Sequence, residues 1–466
     1  MKLYPQEVYL HGLGKFPDYV YSVDISWSGR GPEPFNSTVF VVTGGADSIA
    51  RVWTIDNFQL KIHSELQGHS LGVNCVRFSP DGSNYIATGS DDGKVVIWRP
   101  VVNEDTQVRW IAYKVLNTLD EVTHVSWSAC GQMIACSAQR EMSHLYNIHT
   151  GRALQRLDGH NNRVLGVSWD PRGQLVVSQS TDRTARVYAK SKRGTFYVKA
   201  QLKEVSIGQP PAPESSSSSP TNALAEKKWK LFISESHYPN DPTAHFFRRG
   251  EFSPDGSMVI LPGGLSNPDE TNGVSKFVVH MFNRKQLVTN NGPTAVFVTP
   301  CSPAIAIRFH PRKFRNDAGN NFYVFAITTA TSVYVMRSDR NRPIAFATDI
   351  HCTSLVDAAW SSDATKLIVC STDGYVTLLD FNESELGGVP DWTVEVMQDE
   401  TTGGIEEQIV EDEKVVNLVD EKKDDDDGKE GVGVPLDAPS DEVREVVTNH
   451  KRRITPQVVG TAPTMS

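Results

Sequence analysis

The chain has 466 residues, 39% of them apolar, and a formal charge of −10. That length suits one large domain with extensions, and no apolar run approaches a membrane span, so a membrane role is not expected. The opening residues Met1 to Glu7 lack the apolar stretch of a secretory leader, which points to a soluble intracellular protein.

Charge is unevenly placed. From Glu383 onward there are 22 acidic and 8 basic residues, leaving 34 and 38 in residues 1–382. A mildly positive body with an acidic tail lacks the basic footprint of an autonomous DNA binder and suits protein partners. The six cysteines, Cys75, Cys130, Cys136, Cys301, Cys352 and Cys370, show no Cys-x-x-Cys pair or metal spacing, so reduced thiols and no metal site are expected.

In chain order, Leu3, Val8 and Leu10 alternate weakly and read as an edge strand for the last sheet of the fold. A first unit follows: Val20 to Trp27, a loop to Asn36, Val39 to Gly45, and Asp47 running to Trp53. The second is the most complete: Gly68-His69, a strand Val73 to Phe78, the turn Ser79-Pro80-Asp81-Gly82, a strand Tyr85 to Ser90, the turn Asp91-Asp92-Gly93, and a strand ending at Trp98. Pro pre-sets φ in such a turn and Gly relieves crowding at its end. Three short strands cannot bury both faces alone, so the unit needs neighbours.

This unit resembles the WD-repeat family. The resemblance implies a buried hydrogen-bonded chain through His69, Thr88, Asp92 and Trp98, with Asp47 and Trp53 as its counterparts in the first unit, since a buried carboxylate is tolerated only when paired. His beside Asp also forms part of a catalytic triad, but these residues recur unit by unit with no nucleophile attached, and the structural reading is taken.

The third unit spans Val122 to Tyr146, with Leu119-Asp120 and Arg140 in place of Gly-His and Asp, so the chain of hydrogen bonds is expected to be missing. The fourth restores it with Gly159-His160 and Asp182 ahead of Tyr188. The markers at 53, 98, 146 and 188 lie 45, 48 and 42 residues apart, the spacing of four-stranded blades. Residues 207–225, with Ser215 to Ser219 and Pro220, read as a disordered insertion, either an inert spacer or a phosphorylatable cluster. Three further units follow: Ala244 to Phe282, Ala304 to Met336, and Leu355 to Leu379 with Asp373 in its turn. The fold expected is therefore an all-β, seven-bladed WD-repeat β-propeller over 1–387, with a disordered acidic C-terminal tail. The tail divides into a linker, 388–448, densest at Asp424 to Asp427, and a basic segment, 449–460.

Phe246-Phe247-Arg248-Arg249 ahead of Phe252 to Ser257, Gly166 to Pro171, and Trp360 to Asp363 with Ser371 to Tyr375 and Glu385-Leu386-Gly387 together resemble the WD-repeat middle-subunit family of chromatin assembly factor. The resemblance covers nearly all of residues 1–387. It implies a nuclear, non-catalytic scaffold without cofactors that aids deposition of new histones H3-H4 during replication and repair. Expected partners are the large and small subunits, histones H3-H4 directly or through other proteins, and DNA only through the complex. Phe246, Phe247, Arg248 and Arg249 are read two ways, as core and solvated edge or as an aromatic-arginine interface at a blade rim.

The run Lys451-Arg452-Arg453-Ile454-Thr455-Pro456 reads as an import signal or solvated tail. It is also similar to the peptide by which this family binds the anti-silencing histone chaperone, as a strand added to the partner's sheet edge. Two alternatives remain: the replication-independent histone-deposition propeller, whose members usually carry a long further domain where this chain ends at Ser466, and a substrate receptor of a ubiquitin ligase. No phosphate loop, nucleophile elbow or metalloprotease motif occurs, so no enzyme activity is expected.

Overall fold

The computed structural model describes residues 1–6, 11, 18–26, 35, 38–104, 107–140, 142–207, 227–233, 246–266, 276–300, 302–316, 318–363, 365–387 and 389–391. At 205–207, 227–229, 383 and 389–391 it describes the backbone alone. The sequence insertion at 207–225, apart from Ile207, and the segments 392–448 and 449–460 lie outside the described residues.

Seven antiparallel sheets follow one another around an axis, as the repeat predicts. The second blade shows the plan: Val73–Phe78 pairs with Ile86–Ser90, then Lys94–Val102, then Val108–Asn117 at the rim. Its innermost strand is buried throughout, while its rim strand alternates buried and exposed residues. A strand flanked on both faces by neighbouring blades must be apolar on both, whereas a rim strand wets one side.

The ring is closed by the N-terminal strand. Lys2–Pro5 pairs with Val376–Asp380, Leu3 opposite Leu379, and becomes the fourth strand of the seventh blade. Closure of this kind ties the first and last strands of the ring into one sheet and removes the free edges an open array would leave.

Four departures from the repeat stand out. A hairpin of Glu204–Ile207 with Lys227–Lys230 precedes the fifth blade, and the following Leu231, Phe232 and Ile233 are buried. In the fifth blade the innermost strand covers only Glu251–Phe252 rather than Ala244 to Phe252. Arg249 instead bonds the sixth blade directly: its N–H donates to the Ile305 carbonyl at 2.9 Å, and its carbonyl accepts from Ile307 at 2.8 Å. The sixth blade gains a fifth strand, because Ala304–Arg315 overruns its partner and Val389–Asp391 pairs along the overrun. A short helix, Arg284–Thr289, follows the third strand of the fifth blade, capped by the Asn283 side chain and closed at Asn290 with φ 54°. Among the described residues no helix is long and apolar enough to cross a membrane.

Candidate functional site

The polar residues of the blades form the chains that the WD-repeat resemblance implied. His69 Nε2 lies 2.7 Å from Thr88 Oγ1, His69 Nδ1 3.1 Å from Asp92, and the Trp98 indole N–H donates to Thr88 Oγ1 at 2.9 Å. Burial pulls the His69 pKa below its ordinary value in spite of Asp92, so the ring is neutral. Asp47 and Trp53 belong to an equivalent chain whose histidine, His11, comes from the N-terminal segment: Nδ1 to Asp47 is 2.7 Å and Nε2 to Thr43 is 2.9 Å. In the seventh blade His351 meets Asp373 at 3.1 Å and Thr377 at 3.0 Å. Sequence reasoning missed both histidines, since neither follows a Gly.

In the fourth blade His160 lies 3.0 Å from Asp182 and 2.7 Å from the Ser178 hydroxyl. These are the distances of a Ser-His-Asp triad, but Ser178 has no exposed surface for a substrate to reach. Among the described residues the third blade shows no such chain; there the Arg140 backbone N–H donates to Asp120, and the Arg140 guanidinium lies 3.8 Å from the same carboxylate.

The axis holds a second constellation that the repeat pattern did not reveal. Asp357, on the innermost strand of the seventh blade, has no exposed surface. Its carboxylate accepts from Arg77 Nη2 at 2.9 Å, Arg308 Nη2 at 2.6 Å and Ser22 Oγ at 2.8 Å, and lies 2.9 Å from Arg249 Nη1. Arg249 also donates to the carbonyls of Tyr21 at 2.9 Å and Asn74 at 2.7 Å, and its guanidinium lies 4.0 Å from the centre of the Phe247 ring. Side chains from five blades thus meet at one carboxylate. Burial, reinforced by the charges of Arg77 and Arg249, holds the nearby His124 well below its usual pKa, so it stays neutral.

This placement corrects the rim reading of the aromatic-arginine run. Phe247, Arg248 and Arg249 are 2%, 2% and 0% exposed, and Phe246 is half-buried. The inner strands of the fourth to sixth blades crowd together there. A Cβ at Gly166 would stand 1.8 Å from the Arg248 carbonyl oxygen.

At one end of the axis the innermost strands stop around a cavity of about 380 Å³. Phe78, Trp127, Trp169, Phe252, Phe309 and Trp360, each the last residue of its strand or, for Phe309, the point where the ladder shifts, supply aromatic walls. Arg77 and Arg308 are at the wall with Arg312 beside them, and two carboxylates, Asp24 and Glu251, also face the cavity. Asp24 accepts the Phe78 N–H at 2.7 Å, and Glu251 accepts that of Phe309. Burial raises Asp24 to about 6 and Glu251 to about 8. An aromatic socket with both charge signs suits recognition of a peptide side chain. Among the described residues no group of three His, Cys, Asp or Glu is arranged to hold a metal. The tail motif Lys451 to Pro456 lies outside the described residues.

The family model described as the CAF1B/HIR1 beta-propeller domain matches residues 1–386. The chain is 31% identical over 383 residues to the Chromatin assembly factor 1 subunit FAS2 homolog of Oryza sativa, covering 74% of this chain and 69% of that one. It is 27% identical over 418 residues to a chromatin assembly factor 1 subunit of Mus musculus, covering 79% and 68%. Protein hir1 of Schizosaccharomyces pombe is 24% identical over 372 residues, but the match spans 35% of its length against 74% of this chain.

Proposed function

The chain belongs to the CAF1B/HIR1 β-propeller family, a family of chromatin-assembly and histone-chaperone propellers, and from that membership we propose that it is the middle subunit of a chromatin assembly factor. In this reading it is a nuclear, non-catalytic scaffold. The propeller docks the large subunit, the complex includes the small subunit, and the tail recruits the anti-silencing chaperone that delivers histones H3-H4. Recruitment raises the local concentration of delivered histones beside the depositing subunit. The observation that carries this reading is the similarity over most of the propeller to proteins named as chromatin assembly factor 1 subunits, joined in the same chain to Lys451-Arg452-Arg453-Ile454-Thr455-Pro456.

The tail chemistry supports strand addition. Ile454 is the one strongly apolar residue between Asn449 and Gln457, and burying it contributes roughly 1.5–3 kcal/mol. Arg452 and Arg453 would project to opposite faces of an added strand, one toward an acidic partner surface and one toward water. Pro456 has no N–H and ends the pairing. Ordering the segment offsets part of the gain, which favours reversible exchange.

The test is a titration of the peptide Val446 to Gly460 against purified anti-silencing chaperone, beside an Arg453→Ala, Ile454→Ala version. Saturable binding that the double substitution abolishes supports the reading; absence of binding by the parent peptide removes the recruitment step. The replication-independent propeller is the second reading, favoured by the hir1 match, and it predicts co-purification with that assembly instead of the large subunit.

A further inference from the structure

One register of the ring supplies the charges of the axial cavity. The residue one place before the end of each innermost strand or, in the sixth blade, before the ladder shift, lines it, and four of these residues are charged: Asp24, Arg77, Glu251 and Arg308. The two arginines are spent elsewhere. Both pair with Asp357, which does not line the cavity, and both donate to backbone carbonyls, Arg77 Nη1 to Val76 at 2.6 Å and Arg308 Nε to Ala358 at 2.8 Å.

The two carboxylates have no such partner. Asp24 accepts the Phe78 N–H and Glu251 that of Phe309, but among the described residues neither is in an ion pair. The buried acids Asp47, Asp170 and Asp357 each meet at least one arginine. Interior carboxylates are ordinarily paired in this way. Burial, which Arg77 offsets only in part, raises Asp24 to about 6 and Glu251 to about 8. Both are half-buried and open to the cavity, so a cation entering it would meet acceptors from the first and fifth blades. The aromatic side chains of the wall add faces that attract positive charge. A planar guanidinium stacks on such faces and offers five donors in a fixed fork, whereas an ammonium is a compact point charge. At about 380 Å³ the cavity is within the size range of pockets that hold small ligands.

We propose that the axial cavity binds an arginine side chain presented by a partner protein, its guanidinium held by Asp24 and Glu251 and stacked on the aromatic wall. The occupant supplies the counter-charge that the two carboxylates lack. Each keeps its backbone N–H on one oxygen and uses the other for the guanidinium. An acidic or uncharged side chain leaves both acids unpaired and is rejected.

The experiment uses the full chain with 5-fluorotryptophan in place of its nine tryptophans. Fluorine resonances are followed while the probe, N-acetyl-glycyl-arginyl-glycinamide, is titrated into the millimolar range. Trp127, Trp169 and Trp360 line the cavity, whereas Trp53 and Trp98 do not and serve as references; single Trp→Phe variants assign the five signals. Saturable shifts of the three wall resonances are expected, with the references unmoved. The citrulline peptide, alike in shape but uncharged, and the glutamate peptide should shift none, and the lysine peptide should bind severalfold more weakly. Asp24→Asn and Glu251→Gln, which keep an acceptor for the backbone N–H, should each weaken the arginine peptide severalfold. Circular dichroism checks that each variant folds, and if one does not, the citrulline comparison on the parent chain still decides. The proposal is overturned by an arginine peptide that moves no wall resonance, by an equal response to citrulline or lysine, or by undiminished binding in both folded variants.

Discussion

Asp357→Asn is the substitution whose cost the structure sets most directly. The amide keeps the size of the carboxylate and one acceptor oxygen but loses the charge that Arg77, Arg249 and Arg308 share. Arg249 has no exposed surface and Arg308 is 7% exposed, so water is a poor substitute for the lost partner and reaches Arg249 not at all. Removing one member of a buried ion pair typically costs about 3–5 kcal/mol, mainly through the uncompensated charge left behind. Here three guanidiniums are left facing one another, so a loss of at least that lower bound is expected. The assay is the urea midpoint followed by tryptophan fluorescence and circular dichroism. A second arm adds Arg249→Met, which removes one of the stranded charges at similar volume. The two substitutions contact one another, so the double variant should be less destabilised than the sum of the singles, with a coupling of about 0.5–3 kcal/mol. A midpoint for Asp357→Asn indistinguishable from the parent, or strict additivity in the cycle, would refute the reading of the axis as a shared ion cluster.

Other consequences follow from the same geometry. Glu251 is raised to about 8 by burial, so its folded pKa lies above its unfolded value; stability from this group is full below about 4.5 and is lost as pH rises toward 8. Glu251→Gln should therefore flatten the fall in midpoint between those limits, and an unchanged pH profile would argue against a buried neutral acid. Gly166→Ala should lower the thermal midpoint strongly, since its methyl would meet the Arg248 carbonyl, while Gly194→Ala, where nothing lies within 4 Å but φ is 84°, should cost only about 1 kcal/mol from backbone strain. His69→Ala leaves Asp92 and Thr88 without their shared partner. A loss of about 1–3 kcal/mol in urea denaturation is expected.

The blades were legible because their signals are local. The turn Ser79 to Gly82 and the spacing of Asp92 to Trp98 lie within one hairpin pair, and the structure repeats that arrangement around the ring. His11 was not legible because it reaches Asp47 from 36 residues away through a segment with no repeat pattern. The axial cluster was less legible still. Asp357 sits in Leu-Val-Asp-Ala-Ala-Trp as a lone acid on an apolar strand, and its partner Arg77 is 280 residues away. Arg248 and Arg249 read as solvated or interface residues because charge ordinarily avoids the interior. Ring closure overrides that expectation: the inner strands converge until even arginines are enclosed, and Arg249 finds its bonds on carbonyls of other blades. The helix Arg284–Thr289 has six residues, too few for an apolar period to declare it.

Membership of a histone-depositing complex, proposed above, is tested by reconstitution. The full chain is mixed with purified large and small subunits of chromatin assembly factor and histones H3-H4, and association is read by size-exclusion chromatography alongside supercoiling of a relaxed plasmid. A stable three-subunit species containing this chain is expected, with supercoiling that falls when the chain is omitted. Elution of the chain alone, with supercoiling unaffected by its omission, would contradict it.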